Sequence, residues 1–167
     1  NKCNLSNAHK KLGELQWIDL FPESSYENAI RKIVQVLKPD VIFLRSRPKK
    51  LSPQEVIDML REYNLYDVSK NPRGKGLSHQ YEKMALKDAE IIFDKASNLM
   101  WQQGGSSKML NYKDTEKWIK QINHQSYAGF NDWRLPTIEE AMSLIEPELK
   151  QGAHINTMFD RKQEWIW

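Results

Sequence analysis

The 167-residue sequence contains a single cysteine, Cys3, so no disulfide can close within it and no cysteine-based zinc site can be assembled. A reducing, cytoplasmic setting is the simplest expectation for such a chain, with a secreted or surface setting the alternative if the parent protein carries a signal peptide. No apolar run approaches the roughly 18 to 20 residues needed to cross a bilayer, so no membrane segment is predicted. The opening Asn1-Lys2-Cys3-Asn4 has neither an initiator Met nor a signal-peptide pattern, as expected of a piece of a larger protein. The histidines His9, His79, His124 and His154 are far apart, and none forms a helical i, i+4 ligand pair. Solvated or hydrogen-bonded histidines are expected, with no metal and no cofactor. Gly104-Gly105-Ser106-Ser107-Lys108 lacks the spacing of a phosphate loop and reads as a surface loop.

What is present is ordinary in bulk and uneven in distribution. Hydrophobic residues at 40% and charged residues at 28% fit a folded globular protein. The net charge of +3 conceals an asymmetry: residues 1–89 hold 16 Lys+Arg against 11 Asp+Glu, and residues 90–167 hold 9 against 11. Between Arg45 and Lys75 eight cations face four acids. Such a run could meet a polyanion, but Tyr63 and Tyr66 sit on or just after a helix, where inward packing is expected over base stacking, so nucleic acid is not the expected partner.

Three stretches follow from the periodicity. Residues 1–50 read as strand, helix, strand: Leu15–Leu20, then a helix opened by a Ser24/Glu27 capping box, then the apolar Val41–Leu44. Residues 51–89 read as a helix capped by Ser52, Pro53 and Glu55, followed by a basic linker in which Lys70–Ser78 is a mobile loop. Residues 90–167 hold five of the six tryptophans, and large aromatic rings let a short chain build a core. Here a strand is predicted over Glu90–Phe93. Asn111 and Asp114 should cap a helix facing inward through Thr115, Trp118, Ile119 and Ile122, and Thr137 with Glu140 forms a capping box for another. Glu139 and Glu140, being adjacent, point to different faces, make a poor acid/base pair and read as first-turn charges favoured by the helix dipole.

The most specific string is Tyr127-Ala128-Gly129-Phe130-Asn131-Asp132-Trp133-Arg134-Leu135-Pro136-Thr137-Ile138-Glu139-Glu140. It resembles the signature of the Legionella collagen-like protein C-terminal domain family. Three further motifs follow that family's order: Asp94-Lys95-Ala96-Ser97-Asn98-Leu99-Met100-Trp101, with Ser97 and Asn98 in place of Thr and Gly, then Ile155 to Phe159, then Trp165-Ile166-Trp167. Asn98 can enter the left-handed conformation that glycine would take in the opening turn. The resemblance covers about residues 90 to 167. It implies an α+β fold with a small C-type-lectin-like domain, here preceded by a mainly helical segment. Members normally continue beyond the Trp-x-Trp strand, so the expectation is either that the sequence is a shortened form of the domain or that the sheet is completed by strand addition from a partner or by self-association.

The motif residues have structural readings. Asp94 and Trp101 belong to the opening turn and its strand. Asp132 can accept backbone N–H bonds, Trp133 can fill the core, Arg134 can pair with a buried or rim carboxylate, and Pro136 sets the approach to the next helix. Trp133→Ala should cost about 3 to 5 kcal/mol if the ring is fully buried. No catalytic residue is expected. Enzymes that make formylglycine share the implied fold class but need thiols, and Cys3 lies outside the resembling region. The resemblance therefore implies a non-enzymatic module that binds carbohydrate or protein within a bacterial multidomain protein. A second resemblance, of residues 15–38 to the last strand and helix of bacterial TIR domains, implies the alternative: a sensor or oligomerisation part of a TIR-type effector whose catalytic half lies elsewhere.

Overall fold

The computed structural model describes residues 33, 37, 41–87 and 89–160. The TIR-like stretch, the Ser24/Glu27 capping box and Trp165-Ile166-Trp167 therefore lie outside the described residues, save Ile33 and Leu37, which are both helical.

Helix α1 spans Pro53–Glu62. Ser52 accepts from the Glu55 N–H while the Glu55 carboxylate accepts from the Ser52 N–H, so two otherwise orphaned donors are satisfied. Its inner face buries Met59 and Leu60 against Leu65. Instead of a mobile loop, residues 70–78 contain a segment tied back to this helix. The Asn71 amide donates to the carbonyls of Leu60 and Leu65, and Gly74 packs so closely that a Cβ would sit 2.2 Å from the Leu65 carbonyl oxygen. Only glycine fits there.

A three-stranded antiparallel sheet, order β1-β2-β3, follows with β1 Tyr81–Leu86, β2 Ala89–Asp94 and β3 Leu99–Gln102. The linker predicted up to residue 89 is thus partly strand: Tyr81 pairs with Asp94 and Leu86 with Ala89. The turn between them puts Lys87 at φ 48. Neither glycine nor asparagine marks that turn, and β1 carries exposed Glu82 and Lys83, so its pattern gives little strand signal. Central β2 is covered on both faces. Ile91 packs with Ala89 and Ala128 on one side, and Ile92 with Leu144 and Phe159 on the other. Consecutive strand residues point to opposite faces, which is why two clusters share one strand.

Helix α2, Tyr112–His124, starts at Asn111, whose side chain accepts from the Asp114 N–H, and buries Thr115 and Ile122. Helix α3, Ile138–Ser143, opens with the Thr137/Glu140 capping box. The architecture is α+β. Val41–Leu44 is not a strand. Its Ile42 N–H donates to the Ala96 carbonyl, and Leu44 is buried. No helix among the described residues is long and apolar enough to cross a membrane.

Candidate functional site

An open cleft of about 1250 Å³ lies beside β3. All four residues of β3 line it, together with Thr115, Trp118, Ile119 and Ile122 of α2 and Glu140, Ala141 and Met142 of α3. Among the described residues β3 pairs with β2 alone, so no described strand lies along its other edge. Trp101, Trp118 and Trp133 all border the space and are half-buried. Trp133 also packs against the buried Ala89, Ile91 and Ala128, and Trp101 against Ile92, Leu144 and Phe159, so these two rings close the core as well as border the cleft.

The Asp132–Pro136 string shapes one rim. The Trp133 indole N–H donates to the Tyr127 carbonyl at 3.0 Å, and its ring packs edge-on to Tyr127 and Phe130. Asn123 of α2 grips both backbone polar groups of Trp133, each at 2.8 Å. Asp132 is exposed on the cleft rim, and no hydrogen bond joins it to a described residue, in contrast to the turn-accepting role expected of it. Pro136 is half-buried on the lining and leads into the Thr137 cap.

Arg134 forms a bidentate pair with Glu140 at 2.7 and 2.6 Å. That carboxylate is 2% exposed and also accepts from the Thr137 N–H. The Glu140 bond holds the Arg134 guanidinium above its ordinary pKa. Glu139 is buried as well, in a second bidentate pair with Arg45 at 2.9 and 2.8 Å. Both adjacent glutamates are therefore more than dipole-compensating surface charges. Arg45 is not a solvated connector cation either: its side chain is 15% exposed, and its carbonyl accepts from the Thr137 hydroxyl at 2.8 Å. Sequence alone offered no pointer to Arg45 beyond its charge, since its partner lies 94 positions away.

A third polar knot lies at the end of β2. Asp94, fully buried, accepts from the backbone N–H groups of Gln80 and Ala96, the Ser97 hydroxyl and the His79 ring. Burial alone would raise its pKa, but the bonds from His79, Ser97 and Gln80 outweigh it and hold the carboxyl at about 2. Asn98, in the same turn, has φ 58, the left-handed conformation expected of it. Trp101, on the strand that follows the turn, keeps its indole N–H buried without a partner among the described residues.

Chemically, the cleft offers flat aromatic faces and a few polar groups, with its buried carboxylate already neutralised by Arg134. Among the described residues no group of three or more His, Cys, Asp or Glu side chains could hold a metal ion. His154, on the lining, directs its Nδ1 to the Glu146 carbonyl at 2.9 Å.

An α+β domain that presents an aromatic cleft beside a three-stranded antiparallel sheet is the class of protein these features define. Residues 90–167 match the family model of the Lcl C-terminal domain, and this stretch of the chain is a domain of that family. The match also supports placing it among the domains of bacterial multidomain proteins. No curated protein and no solved structure matches the chain.

Proposed function

We propose that this chain carries a non-catalytic recognition domain, C-type-lectin-like in plan, which binds a carbohydrate or protein ligand in the cleft beside β3. The observation that carries this reading is the convergence of Trp101, Trp118 and Trp133 on one open cleft. Concave sites lined by aromatic and apolar side chains with a few polar groups are the usual form of a binding pocket. Tryptophan faces stack on the apolar faces of sugars and on apolar side chains alike. Asp132, Arg134 and Gln102 stand on the lining as polar contacts that could fix a ligand's orientation. A purely binding role is supported by the state of Glu140, the buried carboxylate on the cleft lining, which is neutralised by Arg134 and spent on the helix cap.

The test uses the purified chain on a glycan array and in a pull-down, followed by Trp118→Ala. Trp118 lines the cleft but belongs to none of the buried core clusters. Binding in either screen that drops at least tenfold in the variant, with little change in melting temperature, is the expected result. Silence in both screens, or binding untouched by the substitution, would overturn the proposal.

A further inference from the structure

Both ring nitrogens of His79 face oxygen atoms that accept hydrogen bonds and have none to give. Nδ1 lies 2.7 Å from an Asp94 carboxylate oxygen, and Nε2 lies 2.7 Å from the Ser143 carbonyl at the end of α3. A neutral imidazole carries one N–H, so it can satisfy only one of these contacts. Protonating Asp94 instead would put a fourth proton against the three other donors already pointing at it, the N–H groups of Gln80 and Ala96 and the Ser97 hydroxyl. The side chain is 3% exposed, so water cannot stand in for a lost partner. The ring also stacks on Tyr81, with centroids 4.7 Å apart and planes 12° apart, an arrangement that favours a cation over the aromatic face.

We propose that His79 is a pH-operated latch: as an imidazolium it ties the segment entering β1 to the C-terminal end of α3, and on losing its proton it lets go. The titratable and charged groups around it are few. Asp94 faces it from β2, the Tyr81 phenol lies beside it on β1, and Glu146 follows α3, paired in turn with Lys150. The Tyr81 phenol stays neutral, its ionisation suppressed by burial and by the two carboxylates, so it does not compete. Burial by itself would lower the histidine pKa, and the bonds to Asp94 and Ser143 overcome this and raise it above 6.5. Releasing the proton leaves a lone pair pointing at an oxygen in a dry site, and the cheapest relief is separation of the two elements.

The part that would loosen is the α3 wall of the cleft, through Met142 and Leu144. That cleft affinity should fall together with the latch rests on the proposed function; the latch itself does not. Nitrogen-detected NMR of the whole chain through a pH series reads it directly. The two ring nitrogens of His79 should show the closely matched shifts of an imidazolium on the acidic side of the titration, with a midpoint above 6.5. A midpoint at or below that value, or split shifts typical of one tautomer that persist on the acidic side, would overturn the latch. Melting temperature gives the second reading: it should fall on the alkaline side in the wild type and stay flat in His79→Phe, which keeps the stack on Tyr81. An equal alkaline fall in that variant counts against the proposal. If the variant does not fold, the wild-type titration decides. Ligand affinity that is insensitive to pH while the NMR result holds would count against the cleft assignment and leave the latch standing.

Discussion

At the scale of single residues, the polar groups that matter most are the ones most deeply buried. Glu139 and Glu140 lie next to each other in the first turn of α3, each gripped by a different arginine. A bidentate guanidinium matches a carboxylate in geometry as well as charge, and removing it leaves the partner charge stranded in a dry site. Arg45→Ala should therefore destabilise the protein by about 3 to 5 kcal/mol in urea unfolding. Lys49→Ala, which breaks a pair with Glu55 whose side chains are 59% and 46% exposed, should change it by less than about 1 kcal/mol. Similar losses for both variants would mean that Glu139 is solvated in solution. Trp133 gives a third reading at this scale. It is half-buried, against the full burial on which the larger cost depends, so Trp133→Ala should lie near the lower end of the large-to-small range, about 3 kcal/mol. A loss of that size accompanied by unchanged ligand affinity would assign the ring to scaffolding alone.

At the scale of elements, α3 shows how a weak local signal is held by distant contacts. Six residues are too few for a helix to persist alone. The Thr137 hydroxyl accepts from the Glu140 N–H and donates to the Arg45 carbonyl, joining the cap to a segment 92 positions earlier. Thr137→Ala should cost about 1 to 2 kcal/mol, with Thr137→Ser recovering most of it. Equal loss in both variants would point to the methyl group instead of the hydroxyl. Helices were the legible part of the sequence: Ser52 and Glu55, Asn111 and Asp114, and Thr137 and Glu140 all mark starts that the structure contains, because capping is decided within four residues. Strand β1 was not legible. Its alternation is broken by Glu82 and Lys83, and it is specified by the register it takes beside β2.

At the scale of the whole molecule, the sheet and its polar knots draw on residues well before position 90. Tyr81–Leu86 supplies a strand, His79 ties that strand to α3, and Arg45 neutralises Glu139. A fragment spanning 90–167 should accordingly fail to fold cooperatively by circular dichroism, whereas the full chain should melt in a single transition for this region. A cooperative, native-like melt of the fragment would show that the earlier residues only decorate the domain. The pH dependence of stability belongs here too. The folded pKa of Asp94 is depressed from 3.8 to about 2, so its contribution, about 2 kcal/mol, is present above 3.8 and lost as pH falls toward 2. That of His79 is raised above 6.5, so its contribution is present below 6.5 and lost as pH rises through the folded value. Stability should thus peak between roughly pH 4 and 6.5 in calorimetry, and a maximum well above pH 7 would contradict the His79–Asp94 geometry.

Some of this was already determined along the chain. Helix starts, the left-handed Asn98 and the family of residues 90–167 depend on neighbours a few positions apart or on an ordered string of motifs, and a string is read without a fold. The pairing of Arg45 with Glu139, the double acceptor environment of His79 and the gathering of three tryptophans on one cleft were decided only by tertiary structure. Each depends on segments brought together from far apart, and the charge or ring of a lone residue does not say which distant partner it will meet.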